Sequence, residues 1–83
     1  MNISGIIVTT APDMKDAVVT EIGNMQNIEV NDASLNQTVI ATVEVETLGD
    51  AAAIFKNVHD ITGVTNVSLA CSYEVEEGEQ LIN

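Results

Sequence analysis

The segment 38-TVIATVEVE-46 restricts this chain more than any other. Val39, Ala41, Val43 and Val45 alternate with Thr38, Ile40, Thr42, Glu44 and Glu46. Side chains along a strand point to opposite faces in turn, so a period of two gives one apolar face and one mixed, mostly polar face. A sheet built on this strand is covered on one side and open on the other.

The flanking segments supply the cover. Residues 3-ISGIIVT-9 read as a strand rich in β-branched side chains. Ala11-Pro12-Asp13 then interrupts; Pro12 suits the first turn of a helix, and Asp13 and Asp16 complement its positive end. Met14, Val18, Ile22 and Met25, with Ala17 and Glu21 beside them, recur near every 3.6 residues and predict a helix over 13–25. A short strand, 28-IEVN-31, and the turn residues 32-DASLN-36 lead by a hairpin into the alternating strand. Thr47 followed by Asp50 is a helix-capping signal. Ala51, Ile54, Phe55, Val58 and Ile61 form a helical stripe over 49–61, ended by Gly63. The last strand lies in 63-GVTNVSLACSYEVEEGE-79, with Val67, Leu69 and Cys71 on one side and Ser68, Ala70 and Ser72 on the other.

The order is βαββαβ, and each helix has one apolar stripe with which to cover a sheet. Right-handed crossovers then favour the split βαβ arrangement. The expected fold is α+β and ferredoxin-like: a four-stranded antiparallel sheet of order 4-1-3-2 with two helices on one face. Residues 1–77 are expected to form one domain and 78–83 an acidic C-terminal tail.

On the open face we expect Gly5, Ile7 and Thr9 of strand 1, with Ile6 and Val8 in the core. Ile40, Thr42 and Glu44 of strand 3 should join them, as should Ser68, Ala70, Ser72 and Glu74 of strand 4, leaving Val67, Leu69 and Cys71 as core. Strands 3 and 4 run parallel to each other, so Glu44 and Glu46 should gather near Glu74 and Glu76. The result is a mildly apolar floor with an acidic end. Composition alone reads that face first as a charged surface kept for solubility.

Charge narrows the partners. The net charge is −11, with Lys15 and Lys56 the only cations among 83 residues. Nucleic acids and anionic membranes need cations on the protein, whereas this field attracts a basic peptide. A chain of this length buries roughly 60–65% of its unfolded surface and has little room for a deep catalytic cavity. His59 stands alone, Cys71 is the single cysteine, and there is no glycine-rich phosphate loop. Strands 1 and 3 carry no aromatics on which bases could stack. No catalytic residue, metal or cofactor is expected. With no apolar run near the roughly 20 residues of a membrane span and no basic leader, membrane insertion is not expected, and the expected location is the cytoplasm.

The start 3-ISGIIV-8, the spacing to 28-IEV-30, the valine-rich strand with Glu44, and 63-GVTNVSLACSYE-74 resemble the NapD family of maturation chaperones for periplasmic nitrate reductase. The resemblance runs from about Ile3 to Glu77 and is a pattern of apolar segments, not a catalytic signature. The Pro12-led first helix and the Gly49-Asp50-Ala51 start of the second depart from it. It implies a chaperone that binds the twin-arginine signal peptide of the nitrate reductase catalytic subunit. Such a protein holds the precursor back from export until the molybdenum cofactor is inserted, without binding the cofactor itself. On this reading the peptide docks as a helix on the open face. Ile7, Ile40 and Ala70 touch its apolar side, Glu44, Glu46, Glu74 and Glu76 attract its arginines, and Gly5, Thr9, Thr42, Ser68 and Ser72 complete the floor. Strand addition along an edge is a second route. The rival function is a small-molecule-sensing regulatory domain of the same fold, working through Thr9, Thr10 and Asp13. A third is a structural subunit whose open face is buried in an oligomer.

Overall fold

Burial in the third strand follows its alternation: Val39, Ala41 and Val43 are fully buried and Val45 nearly so, while Thr38, Ile40 and Thr42 are half-exposed and Glu44 is exposed. The computed structural model describes residues 1–75. In chain order these form β1 (Asn2–Thr10), α1 (Lys15–Gly23), β2 (Ile28–Asp32), β3 (Thr38–Val45), α2 (Leu48–His59) and β4 (Val64–Glu74). The sheet order is β2-β3-β1-β4, with every neighbouring pair antiparallel. This is the ferredoxin-like arrangement. Val18 and Ile22 of α1 and Ala51 and Val58 of α2 pack with Ile6, Val8 and the β3 valines in one core, so both helices cover the same face.

The helix ends have local causes. Thr47 caps α2, its hydroxyl accepting from Asp50 N at 3.1 Å. α1 starts at Lys15, later than the expected residue 13, and its N-cap Met14 makes no side-chain cap. Pro12 therefore lies outside the helix. Ala11 to Met14 form a turn in which Met14 N donates to Ala11 O at 3.1 Å and Asp13 has φ 67°. Proline second and a positive φ third are what a type II turn demands. A matching turn, Ile61 to Val64, places Gly63 at φ 101°. The two turns are joined by Ala11 N donating to Gly63 O at 2.8 Å.

One irregularity decides which face half of β4 belongs to. Gly5 pairs with Cys71, but Ile6 pairs with Leu69, so Ala70 is an extra residue. Such a bulge reverses the facing of everything beyond it. Val67 and Leu69 lie on the helix side opposite Val8 and Ile6; Val67 packs against the core, but Leu69, expected in it, is 54% exposed. Beyond the bulge Ser72 and Glu74 pair with Ser4 and Asn2 on that same helix side, and Cys71 and Tyr73 turn to the open face. The expected outward facing of Ser72 and Glu74, and the core placement of Cys71, are thus reversed. The polar residues of β1 explain why this is stable. Asn2 and Ser4 are buried, at 2% and 0% exposure, and need partners. Asn2 Nδ2 donates to Ser72 Oγ (3.3 Å) and Glu74 Oε1 (3.2 Å), and Ser4 Oγ donates to Asn2 Oδ1 (2.8 Å). The β1–β4 pairing ends with Met1 N and Val75 N each donating to the other residue's carbonyl at 2.7 Å. Glu76 and the expected tail 78–83 lie outside the described residues.

Candidate functional site

The uncovered face is assembled from alternate residues of all four strands. β1 contributes Ile3, Gly5, Ile7 and Thr9. β3 contributes Ile40, Thr42 and Glu44, which pair with Ile7, Gly5 and Ile3. β4 contributes Asn66, Ser68, Cys71 and Tyr73, opposite Thr9, Ile7, Gly5 and Ile3. Ala70 is exposed at the bulge itself. Ile3, Ile7 and Ile40 form an apolar line across the two central strands, with Ile7 at 36% exposure. Small side chains surround it. Gly5 is one that must stay small: a Cβ there would sit 2.8 Å from Cys71 Sγ.

The acidic flank is displaced from where the sequence placed it. Glu44 faces outward beside Ile3, and Glu46 follows at the end of β3. Glu46 lines a shallow depression with Met1, Glu44 and Asp50. Glu74 reaches the same end of the sheet but on the opposite face, bonded to Asn2, so the expected gathering of Glu44 and Glu46 with Glu74 does not form. Sequence reading missed two other carboxylates. Glu29 pairs with Thr42, and Asp32 pairs with Ile40 past a shift in the β2 register. Glu29, Asp32 and Glu44 therefore border the floor along β2 and β3, and Glu46 lies just past the end of β3. The signal was available in 28-IEVND-32, since Ile28 and Val30 on the core side force Glu29 outward.

Hydrogen bonds hold one of these carboxylates, Asp32, in its charged form. The Ser34 hydroxyl donates to Asp32 Oδ1 at 2.7 Å and Ser34 N at 2.8 Å. Together with the nearby Lys15 charge they hold the Asp32 carboxyl below its ordinary range. Asn31 accepts from the Thr42 hydroxyl and ties the β2 edge to the floor. The cations are elsewhere. Lys15, on α1, donates to the carbonyls of Ala33 and Leu35, and Lys56, on α2, pairs with Asp60 at 3.1 Å. Among the described residues the open face carries Glu29, Asp32 and Glu44 and neither lysine, and the Met1 ammonium at its end is bonded to Val75 O.

Both edges are blunted. β4 has bulges at Ala70 and between Asn66 and Val64, and β2 shifts register at Asn31. Bulges twist an edge away from further pairing. At the expected alternative locus near strand 1 and helix 1, Thr10 is buried and its backbone exchanges bonds with Gln37 (2.9 and 3.2 Å), while Asp13, Lys15, Asp16 and Gln37 line an open depression. No group of three His, Cys, Asp or Glu suited to a metal occurs among the described residues. No described helix is long and apolar enough to cross a membrane.

Comparisons with known proteins agree with this architecture. The solution structure of the E. coli Tat proofreading chaperone protein NapD superposes with a TM-score of 0.78 at 20% identity, covering 98% of this chain and 85% of that one. The crystal structure of a hypothetical protein from Pyrococcus horikoshii gives 0.75 at 18% identity, covering 93% and 94%. At these identities the likeness speaks for the fold. Among curated proteins no sequence matches significantly. The sequence model described as NapD protein matches residues 1–76, nearly the whole chain, and the chain belongs to the NapD family.

Proposed function

We propose that this protein is a cytoplasmic chaperone whose open sheet face binds the twin-arginine signal peptide of a periplasmic nitrate reductase catalytic subunit. Holding that peptide delays export while the enzyme is completed. The observation that carries the reading is a sheet face with an isoleucine floor, Glu29, Asp32 and Glu44 along one side, and neither lysine on it. A twin-arginine leader has the complementary chemistry, guanidinium groups beside an apolar stretch. Family membership and the likeness to a Tat proofreading chaperone support the same role.

Docking is on the face, as a helix, because bulges blunt both edges against strand addition. Gly5, Ile7, Thr9, Ile40, Thr42, Glu44, Glu46, Ser68 and Ala70 keep their expected roles. Ser72 and Glu74 leave the site, and Ile3, Glu29, Asp32, Cys71 and Tyr73 enter it. Exposed ion pairs contribute roughly 0–1 kcal/mol each. Fully burying an isoleucine contributes about 1.5–3 kcal/mol. The floor therefore sets affinity, and the acids set association rate and partner choice. In titration calorimetry with the leader peptide, Ile40→Asp should weaken binding by roughly ten-fold or more. Glu44→Gln should weaken it by at most about five-fold and flatten its salt dependence. Glu74→Gln, on the other face, should change neither. Wild-type binding by both Ile40→Asp and Glu44→Gln would contradict the reading.

A further inference from the structure

The bulge at Ala70 has a second effect: it turns Tyr73 onto the open face. Tyr73 pairs with Ile3 from one side, and Glu44 pairs with Ile3 from the other. The ring and the carboxylate thus flank one isoleucine, two interstrand spacings or about 9–10 Å apart at their Cα atoms. Tyr73 is 55% exposed. Of the two aromatic side chains in the sequence, the other, Phe55, packs against the core. Lys15 and Lys56 are engaged on the helices, and the Met1 ammonium donates to Val75 O at 2.7 Å, so neither lysine occupies the seat between ring and carboxylate and the ammonium is bonded elsewhere.

Building on the function proposed above, we propose that Tyr73 and Glu44 seat one guanidinium of the leader over Ile3, and that Tyr73 makes the face prefer arginine to lysine. A guanidinium is a flat cation with a fork of N–H donors. It stacks on an aromatic ring while its edge donates two bonds to a carboxylate. An ammonium is a compact, strongly hydrated point charge that the carboxylate alone satisfies. Glu44 attracts either cation, and the ring separates them.

The test measures affinities of a twin-arginine leader peptide and its Lys-Lys version for the wild-type protein, Tyr73→Phe and Tyr73→Leu. Titrations followed by amide chemical shifts show where each peptide binds. The wild-type protein should prefer the arginine peptide, and Tyr73→Phe, which keeps the ring, should retain that preference. Tyr73→Leu should reduce the arginine-to-lysine affinity ratio by roughly two- to five-fold, the size of an exposed cation–π contact. It should do so through the arginine peptide, with salt dependence unchanged. An unchanged ratio in Tyr73→Leu, or an equal loss in Tyr73→Phe, would overturn the assignment while leaving open-face binding intact. Wild-type shifts confined to the helices would overturn the underlying function instead.

Discussion

Gly5 and Cys71 meet across β1 and β4, where a single methyl group reports on the strand's facing. A Cβ at position 5 would lie 2.8 Å from Cys71 Sγ, closer than such atoms approach without displacement. That contact exists only because the Ala70 bulge brings Cys71 to the open side. Gly5→Ala should therefore cost about 1 kcal/mol more in the native background than in Cys71→Ala, within the range of coupling between touching residues. Urea unfolding of the four proteins of this cycle measures it, and a coupling near zero would return Cys71 to the helix side. Asp32 is a second residue with a defined state. Its carboxyl is held low first by the Ser34 hydroxyl, then by Ser34 N, with Lys15 adding attraction. Its folded form therefore favours the anion above the ordinary carboxylate range, and that contribution is lost as pH falls through the depressed value. Asp32 thus stays charged into more acid solution than an ordinary aspartate.

Among the elements, the turn between α2 and β4 packs closely against the start of α1. Gly63 has φ 101°, and a Cβ there would meet Met14 Cβ at 2.8 Å and Cε at 2.9 Å. Left-handed strain and overlap with packed atoms act together. Gly63→Ala should cost about 2–4 kcal/mol and lower Tm by about 10 °C or more, visible in a thermal melt. An unshifted melt would mean that the turn relaxes freely. Element type and order were legible because their signals are periodic: alternation in β3, a helical stripe and a threonine cap in α2. The second half of β4 was not. Nothing in 67-VSLACSY-73 marks a bulge, since alternation continues unbroken through Ala70. The clue lay on β1. Asn2 and Ser4 share the side of Ile6 and Val8, and these buried polar groups bond to each other and to Ser72 and Glu74 across the strand pair. A reading of strands one at a time does not see that pairing. Glu29 and Asp32 were missed for simpler reasons: the short strand 28–31 was assigned no face, and Asp32 reads as a turn residue although β2 extends to it.

At the scale of the whole molecule, the division of labour is between two sides of one sheet. The helix side holds the core and both lysines, and the other side holds a line of isoleucines bordered by acids. Glu29, Asp32 and Glu44 thus stand beside an apolar floor, with Lys15 near Asp32 at the β2 edge and Lys56 paired with Asp60 on α2. An arrangement kept only for solubility has no need of exposed Ile7 and Tyr73 beside those carboxylates. The most direct measurement is amide-shift mapping of the labelled protein with a twin-arginine leader peptide and a Lys-Lys control. Shifts should concentrate at Ile3, Gly5, Ile7, Ile40, Thr42 and Ser68, with α1 and α2 nearly silent and the control weaker at the same residues. Shifts concentrated on the exposed sides of α1 and α2, with the open face silent, would contradict docking on the sheet.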